Sequence, residues 1–211
     1  MKKIIFIFAV CIVLFSSCAT EYTPVHILEH QKERVKQLYE DKNHYDIVFM
    51  GDSLTELGDF ENFIEGSKNA GVGGNYIHST NEVIPCVVNY NPKKIYLMIG
   101  INSLFRYSFG ECKDHYISLV EQLINTFPNT EIVLESVLPM YTKNYLIECF
   151  NEYIRYVASL KGIKYLDLYS IYEVDGALPY SELADGLHLI PSAYAKWYDA
   201  IIKDMEGEEN E

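Results

Sequence analysis

The chain has 211 residues, of which 17 are basic and 30 are acidic, so its formal net charge at pH 7 is −13. That charge argues against nucleic-acid binding, which needs a basic face to neutralise phosphates. The chain is 49% hydrophobic and 22% charged, a balance typical of globular proteins. No apolar stretch reaches the roughly 20 residues that span a bilayer, which excludes polytopic membrane proteins. These numbers predict one acidic globular domain.

The N-terminus has the pattern of a secretory signal. Lys2 and Lys3 precede twelve uninterrupted apolar residues at positions 4–15, and two serines then lead to Cys18. A charged start, a short apolar core and small residues before a cleavage site are typical of such signals. The Ser-Ser-Cys ending also resembles the lipobox of bacterial lipoproteins, in which the cysteine is lipidated and becomes the first mature residue. Phe15 stands where that pattern usually has Leu.

We therefore expect a lipoprotein signal peptide at residues 1–17, a lipid on Cys18 and a polar tether at residues 18–25. Two acyl chains on the cysteine would anchor the protein stably to a membrane. Ala19, rather than Asp, follows the cysteine, which by resemblance to sorting in enteric bacteria favours the outer membrane. The predicted location is the bacterial cell envelope. Secretion without a lipid and an uncleaved anchor are the alternatives.

After the tether, apolar spacing predicts a helix at 26–41, and short apolar runs then alternate with helical patterns. The predicted strands are 46–50, a weaker one at 70–72, 95–99, 131–137 and 164–168. The predicted further helices are 80–90 (bent by Pro85), 111–127, 144–161 and 191–205. This alternation indicates a parallel sheet covered on both faces. We predict a single α/β domain at 26–205, a three-layer α/β/α sandwich with a five-stranded parallel sheet, followed by an acidic tail at 206–211.

Candidate chemistry lies directly after the strands, because parallel sheets bind ligands at the carboxyl ends of their strands. Gly-Asp-Ser-Leu-Thr-Glu follows the first strand. Gly51 permits a sharp turn, and Ser53 then lies at a helix N-terminus, where free N–H groups favour developing negative charge. Alternatively, Ser53 only caps the helix, with Glu56 completing a capping box. The Gly-x-Ser-x-Gly pattern of α/β-hydrolases is not met, because Thr55 occupies the final glycine position.

A glycine-rich segment, Asn-Ala-Gly-Val-Gly-Gly-Asn at 69–75, follows the second predicted strand. A dinucleotide-binding loop beginning at Gly71 would need a glycine where Tyr76 stands, and no Gly-Lys-Ser/Thr of a phosphate loop follows. The glycines therefore form a plain loop or present a backbone N–H to a substrate oxygen.

Three further polar residues follow later strands. Asn102 is either a turn former or a donor to a developing oxyanion. Asp185 and His188 are three residues apart, so both side chains lie on the same side of one turn. The carboxylate can then accept from one imidazole nitrogen and leave the other free to accept a proton. A capped loop with a surface histidine is the alternative.

Together these blocks resemble the SGNH, or GDSL, hydrolase family. The matching motifs are GDSL at 51–54, NxGxGG at 69–74, GxN at 100–102 and DxxH at 185–188, in that order and on the expected elements. The resemblance implies a flavodoxin-like SGNH hydrolase fold and hydrolysis of carboxylic esters through an acyl-enzyme.

The resemblance also implies a role for each matched residue. Ser53 is the nucleophile, His188 the general base and Asp185 its orienting partner. The oxyanion hole uses the backbone N–H groups of Ser53 and Gly74 and the side chain of Asn102.

This chain departs from the family pattern at Asn75 and Ser103, where Asp is common, and we expect altered hydrogen bonding around the catalytic groups. The reaction implied by the resemblance needs no cofactor. The thiols of Cys86, Cys112 and Cys149 are odd in number and form no Cys-x-x-Cys pair, so we expect neither a disulfide framework nor a metal site.

The expected partner is a small-molecule ester, an acetylated carbohydrate in particular. The loop at 169–184 carries acidic residues and few aliphatic ones, which as a site lining suits a small acyl group on a polar alcohol better than a fatty tail. Alternatively, this loop is only solvated surface. The alternatives are a lipid acylhydrolase of the lysophospholipase or thioesterase kind, and an inactive lipoprotein that only binds a ligand.

Overall fold

The computed structural model describes residues 25–208. Its centre is a five-stranded, wholly parallel sheet in the order β2-β1-β3-β4-β5. The strands are β1 Ile47–Gly51, β2 Ser67–Gly71, β3 Lys94–Met98, β4 Glu131–Glu135 and β5 Lys164–Leu166. Every residue of β1 and β3 is buried, and apart from Lys94 at the start of β3 the two strands have apolar sequences, as expected for central parallel strands.

Helices cover both faces of the sheet. They are α1 Val25–Glu40, α2 Ser53–Glu56, α3 Phe60–Phe63, α4 Ile84–Tyr90, α5 Ile101–Arg106, α6 Phe109–Thr126, α7 Tyr145–Lys161, α8 Tyr169–Tyr172 and α9 Ala195–Glu208. On one face α1 contacts α4 and α6 contacts α7. On the other face α3 contacts α9, where the rings of Phe60 and Trp197 meet edge to face at 5.2 Å. The predicted three-layer α/β/α fold with five parallel strands is confirmed. None of the described helices is long and apolar enough to cross a membrane.

Several element boundaries differ from the sequence prediction. Strand β2 begins at Ser67, three residues before the predicted start, because its polar first half is satisfied within the fold. The Asn69 side-chain amide, for example, donates to the backbone oxygens of Thr55 and Gly58, each at 2.7 Å. Because the first three residues of β2 are polar, they form no apolar run from which a strand could be predicted.

The helix predicted at 80–90 is divided into a 3₁₀ turn, His78–Glu82, and α4. Pro85 lies in the first turn of α4, where its missing N–H breaks no helical hydrogen bond, so the proline starts a helix instead of bending one. Helix α5 was not predicted. Helix α9 continues to Glu208, three residues into the predicted acidic tail. The predicted signal peptide, Cys18 and the last three residues of that tail lie outside the described residues.

The strand order places the candidate residues at one edge of the sheet. From β1 the chain connects to β2, which lies on one side of β1, and then to β3, which lies on the other side. The direction in which strands are added to the sheet therefore reverses at β1. Ser53 follows β1 and Asn102 follows β3, both at the carboxyl ends of the strands. A crevice at such a reversal is the usual ligand site of an open parallel sheet.

Candidate active site

Ser53 is the first residue of α2 and is separated from the end of β1 by Asp52 alone. Asp52 is the N-cap of this helix, and its Oδ1 accepts a hydrogen bond from Leu54 N at 3.0 Å. Glu56 reaches another segment of the chain, so the alternative of a capping box between Ser53 and Glu56 is wrong. The first N–H groups of a helix have no intrahelical acceptor, which leaves the Ser53 N–H available to a substrate.

Gly51 is required because the backbone passes too close to its neighbours for any side chain. A Cβ on this residue would lie 2.4 Å from the Met98 carbonyl oxygen of β3 and 2.1 Å from the Thr55 hydroxyl. The turn that presents Ser53 is therefore packed tightly against the next strand, which fixes the position of the serine.

His188 and Asp185 form a continuous hydrogen-bonded chain with Ser53. The distance from His188 Nε2 to Ser53 Oγ is 2.8 Å, and that from His188 Nδ1 to Asp185 Oδ2 is 2.7 Å. The other oxygen of Asp185 accepts from the backbone N–H groups of His188 and Leu187 at 2.9 and 3.0 Å. These N–H groups, together with the imidazole, lower the pKa of Asp185 to about 2. Asp185 is therefore a permanent anion that can orient and stabilise a protonated imidazole.

The predicted oxyanion donors lie beside this chain. Gly74 lines the same pocket as Ser53 and His188, and its φ of +73° is a conformation that glycine adopts readily. Asn102 donates from Nδ2 to the backbone oxygen of Asn75 at 3.0 Å, which holds its amide next to Gly74. Because an amide group has two N–H donors, Asn102 retains one for a substrate.

The two departures from the family pattern both support the segment that follows Gly74. The buried Asn75 accepts from Ser79 Oγ at 2.8 Å through its Oδ1. Ser103 is fully buried, and its hydroxyl accepts from Ile77 N at 2.9 Å. Asn75 and Ser103 are thus both hydrogen-bonded to the segment at residues 77–79.

Asp52 is an ionisable group whose position sequence reasoning did not identify. Its side chain is fully buried, and Oδ2 has no hydrogen-bond partner among the described residues. Burial raises the pKa of this carboxyl to about 7, and the electrostatic influence of His188 works in the opposite direction. The GDSL motif therefore contains a carboxyl group that titrates near neutral pH, directly beside the serine.

Helix α1 also reaches the site, although its sequence pattern indicated only an amphipathic helix. His30 Nε2 lies 2.9 and 3.0 Å from the two carboxylate oxygens of Glu56, and Arg34 Nε lies 3.6 Å from one of them. Glu56 Oε2 in turn accepts from Gly73 N at 2.5 Å. The capping-box pattern indicated a partner for Glu56 three residues away, whereas its partners in the structure are distant in sequence.

Two concave surfaces meet at His188 and Leu57. The first, which we call the Ser53 pocket, has a volume of about 500 Å³ and is lined by Ile27, His30, Ser53, Glu56, Leu57, Gly73, Gly74 and His188. The second, the aromatic groove, has about 510 Å³ and is lined by Leu57, Asp59, Phe63, Ala184, Asp185, His188, Leu189, Pro191, Tyr194 and Tyr198. The arrangement can bind two parts of one substrate on either side of the imidazole.

The loop at 169–184 does not supply the polar lining expected from its sequence. The Glu173 carboxylate accepts from Gly176 N, and Glu182 pairs with Lys196 at 2.6 Å. Of this loop only Ala184 lines either of the two concave surfaces. Glu173 is thus engaged in a local turn and Glu182 in an ion pair.

The remaining cysteines are not part of this site. Cys86 and Cys112 are buried and Cys149 is half-buried, and all three are free thiols. Within residues 25–208, no group of three or more His, Cys, Asp or Glu side chains is arranged to hold a metal ion.

Comparison with known proteins relates this architecture to one family and to several solved structures. The model of the GDSL-like Lipase/Acylhydrolase family matches residues 49–196. A Streptococcus pneumonia protein that carries the name platelet activating factor is 19% identical, with a TM-score of 0.74 over 85% of this chain and 94% of the other. A GDSL-like lipase from Bacteroides thetaiotaomicron VPI-5482 is 20% identical, with a TM-score of 0.68 over 86% and 98%.

A catalytic mutant of an acetylxylan esterase from Geobacillus stearothermophilus is 16% identical, with a TM-score of 0.61 over 77% of this chain and 95% of the other. At such identities the structural likeness shows the fold alone. No sequence among the curated proteins matches the chain.

Proposed function

The chain belongs to the GDSL-like lipase/acylhydrolase family, as a serine ester hydrolase of the SGNH type, and on that premise we propose that it removes short acyl groups, acetyl in particular, from carbohydrate esters. The observation that carries the mechanism is the hydrogen-bonded chain from Ser53 Oγ through His188 to Asp185, with distances of 2.8 and 2.7 Å. A serine bonded to an imidazole that a carboxylate orients has the geometry of an activated nucleophile.

The proposed reaction has two halves. Ser53 Oγ attacks the ester carbonyl carbon while His188 Nε2 takes the hydroxyl proton, and Asp185 stabilises the resulting imidazolium. The Ser53 and Gly74 N–H groups and the Asn102 amide stabilise the oxyanion. When the intermediate collapses, the bond to the alcohol breaks and His188 protonates that alcohol. Water then attacks the acyl-serine by the same sequence and releases the acid.

The two concave surfaces suggest where the substrate lies. The carbonyl must reach both Ser53 and Gly74, which line the Ser53 pocket, so we place the acyl group there. The leaving alcohol must reach His188 on the side of the aromatic groove. That groove combines the ring of Phe63, stacked on Tyr198 at 4.4 Å, with the carboxylates of Asp59 and Asp185, a mixture of rings and polar groups that suits a sugar.

Acetyl is favoured because Ile27 lines the Ser53 pocket and lies against Gly74, where it leaves less room for a longer acyl chain. The aromatic groove also supports a second candidate, a lipid acylhydrolase. Its residues Leu57 and Phe63 are 58% and 59% exposed and present apolar surface beside His188. An acetylxylan esterase among proteins of the same fold supports the first candidate without deciding between them.

A panel of nitrophenyl esters of increasing acyl length, run beside acetylated xylo-oligosaccharides, tests the proposal. We expect kcat/KM to be highest for acetyl esters and acetate to be released from the sugars. Ser53→Ala is the control, and we expect it to keep the fold and lose several orders of magnitude in rate. A rise in kcat/KM from acetyl to octanoyl favours the lipid candidate, and an inert wild-type protein favours a binding role.

Lipid anchoring in the cell envelope is the second part of the proposal. It is supported by Lys2, Lys3, the apolar stretch at 4–15 and the Ser-Ser-Cys ending at Cys18. Mass spectrometry of the mature N-terminus after expression in a bacterial host tests it. We expect a diacylated Cys18, and an unmodified cysteine or a different first residue rejects the anchor.

A further inference from the structure

We infer that Gln31 and Glu56 are positioning residues that aim the Gly74 N–H at the oxyanion, so that helix α1 is part of the catalytic apparatus. The inference rests on the proposed function, because the N–H of Gly74 has this role only in an enzyme that attacks esters through Ser53. Residues 69–75 are called the oxyanion loop below.

A Gly-Gly sequence has high conformational freedom, which Gln31 and Glu56 restrict. Gly73 and Gly74 lack side chains, and Gly74 has a φ of +73°, so without outside contacts the peptide between them has many orientations. An oxyanion donor is effective only if it already points at the place where charge develops. Some other part of the protein must therefore fix that peptide.

Gln31 fixes the peptide that carries the donor. Its Nε2 donates to the backbone oxygen of Gly73 at 3.2 Å. That oxygen and the Gly74 N–H belong to the same planar trans peptide, in which C=O and N–H point in opposite directions. A hydrogen bond that holds the oxygen toward α1 therefore turns the Gly74 N–H away from α1. Among the described residues no protein acceptor is assigned to that N–H.

Glu56 fixes the preceding peptide. Its Oε2 accepts from Gly73 N at 2.5 Å, so both peptides of Gly73 are held from outside the loop. Glu56 is also the last residue of α2, which begins with Ser53. The contact therefore ties the nucleophile and the oxyanion donor to one short helix.

A carboxylate so near an oxyanion site would repel the developing charge unless cations neutralise it. Helix α1 supplies one in Arg34, whose Nε lies 3.6 Å from the Glu56 carboxylate, and His30 Nε2 hydrogen-bonds the same carboxylate at 2.9 Å. Arg34 also donates to the backbone oxygens of Asn69 and Gly71 at 2.8 and 3.1 Å. One face of α1 thus holds both ends of the oxyanion loop and balances the charge of Glu56.

Kinetics of Gln31→Ala test this inference most directly, because the change leaves a good helix former and no unpaired buried charge. With 4-nitrophenyl acetate we expect kcat to fall about 10-fold and KM to change less than about twofold, since misaligning a donor costs less than removing one, which costs about 10²–10³. Gln37→Ala is the matched control. It is the same substitution on the same helix, and the Gln37 side chain donates to the Glu33 carboxylate within α1 at 3.3 Å. We expect it to leave kcat unchanged.

A conservative pair tests Glu56. Glu56→Gln keeps an oxygen that accepts from the Gly73 N–H, and we expect it to retain more kcat than Glu56→Ala at equal thermal stability. Phosphonylation of Ser53 by a fluorophosphonate, followed by intact-protein mass spectrometry, gives a readout without ester turnover. The phosphoryl oxygen of the fluorophosphonate also needs the oxyanion donors, so we expect slower labelling of Gln31→Ala than of the wild type.

The outcomes separate the two proposals. Equal labelling and a kcat within twofold of wild type for Gln31→Ala, or an equal loss in Gln37→Ala, overturns the positioning role. A wild-type protein that is labelled faster than Gln31→Ala and yet hydrolyses no acetyl ester supports the positioning role and overturns only the proposed substrate.

Discussion

Shortening Ile27 is expected to widen the range of acyl groups that the enzyme accepts. Ile27 lines the Ser53 pocket, and its Cγ2 lies 2.7 Å from the point where a Cβ on Gly74 would stand. The Ile27→Ala substitution removes three carbons from this wall. A butyryl ester has two more methylene groups than an acetyl ester, and at about 0.8 kcal/mol each they gain about 1.6 kcal/mol by filling the space. The ratio of kcat/KM for butyryl over acetyl should then rise about 15-fold.

The assay compares 4-nitrophenyl acetate and butyrate for the wild type, Ile27→Ala and Leu28→Ala. Leu28 is the next residue of α1 and lines a different cavity, together with Lys32 and Val35, so its truncation controls for a general effect on the helix. The ratio is independent of the active enzyme concentration. An unchanged ratio in Ile27→Ala, or an equal rise in Leu28→Ala, refutes the placement of the acyl group against Ile27.

Three further predictions concern the polar groups. Asn102→Ala should lower kcat by about 10²–10³ in steady-state ester hydrolysis, and a loss below threefold contradicts its role as an oxyanion donor. Asp185→Asn should lower kcat by about 10² rather than the 10⁴ of a buried triad carboxylate, because Asp185 is 57% exposed and water partly replaces it. For Asp52, burial raises the pKa from 3.8 to about 7, so the folded state binds this proton more tightly than the unfolded state and the wild type loses stability as pH rises from about 4 to about 7. The unfolding free energy of Asp52→Asn relative to wild type should increase over that interval by up to about 4 kcal/mol, at about 1.4 kcal/mol per pKa unit, and chemical denaturation at pH 4 and pH 8 measures it.

The residues that sequence reasoning located are those whose neighbours are close in the sequence or lie at the end of an apolar strand. Asp185 and His188 are three residues apart, so one turn brings them together whatever the rest of the chain does. Ser53 and Asn102 follow β1 and β3, whose apolar sequences mark buried parallel strands. Sheet topology then places both residues at the same edge.

The residues that sequence reasoning did not locate have partners far along the chain. Glu56 bonds to Gly73 and His30, which are 17 and 26 positions away, and neither contact leaves a period or a motif in the sequence. The prediction that the loop at 169–184 lines the site was wrong for a related reason. Its acidic composition was read as a polar lining, whereas Glu182 is paired with Lys196, 14 positions away. Composition reports which groups are present and does not report which of them have partners.

The position of α1 bears on where substrate preference is encoded. The family model begins at residue 49, so α1, which ends at Glu40, lies outside the matched segment. Yet Ile27 and His30 of α1 line the Ser53 pocket, and Gln31 and Arg34 bond to the oxyanion loop. The matched segment carries the groups that perform ester hydrolysis, whereas part of the wall that limits the acyl group comes from the preceding helix. Members that share the four motifs and differ in this helix should therefore differ in acyl preference more than in the chemistry of attack, which exchange of α1 residues between two such enzymes would measure.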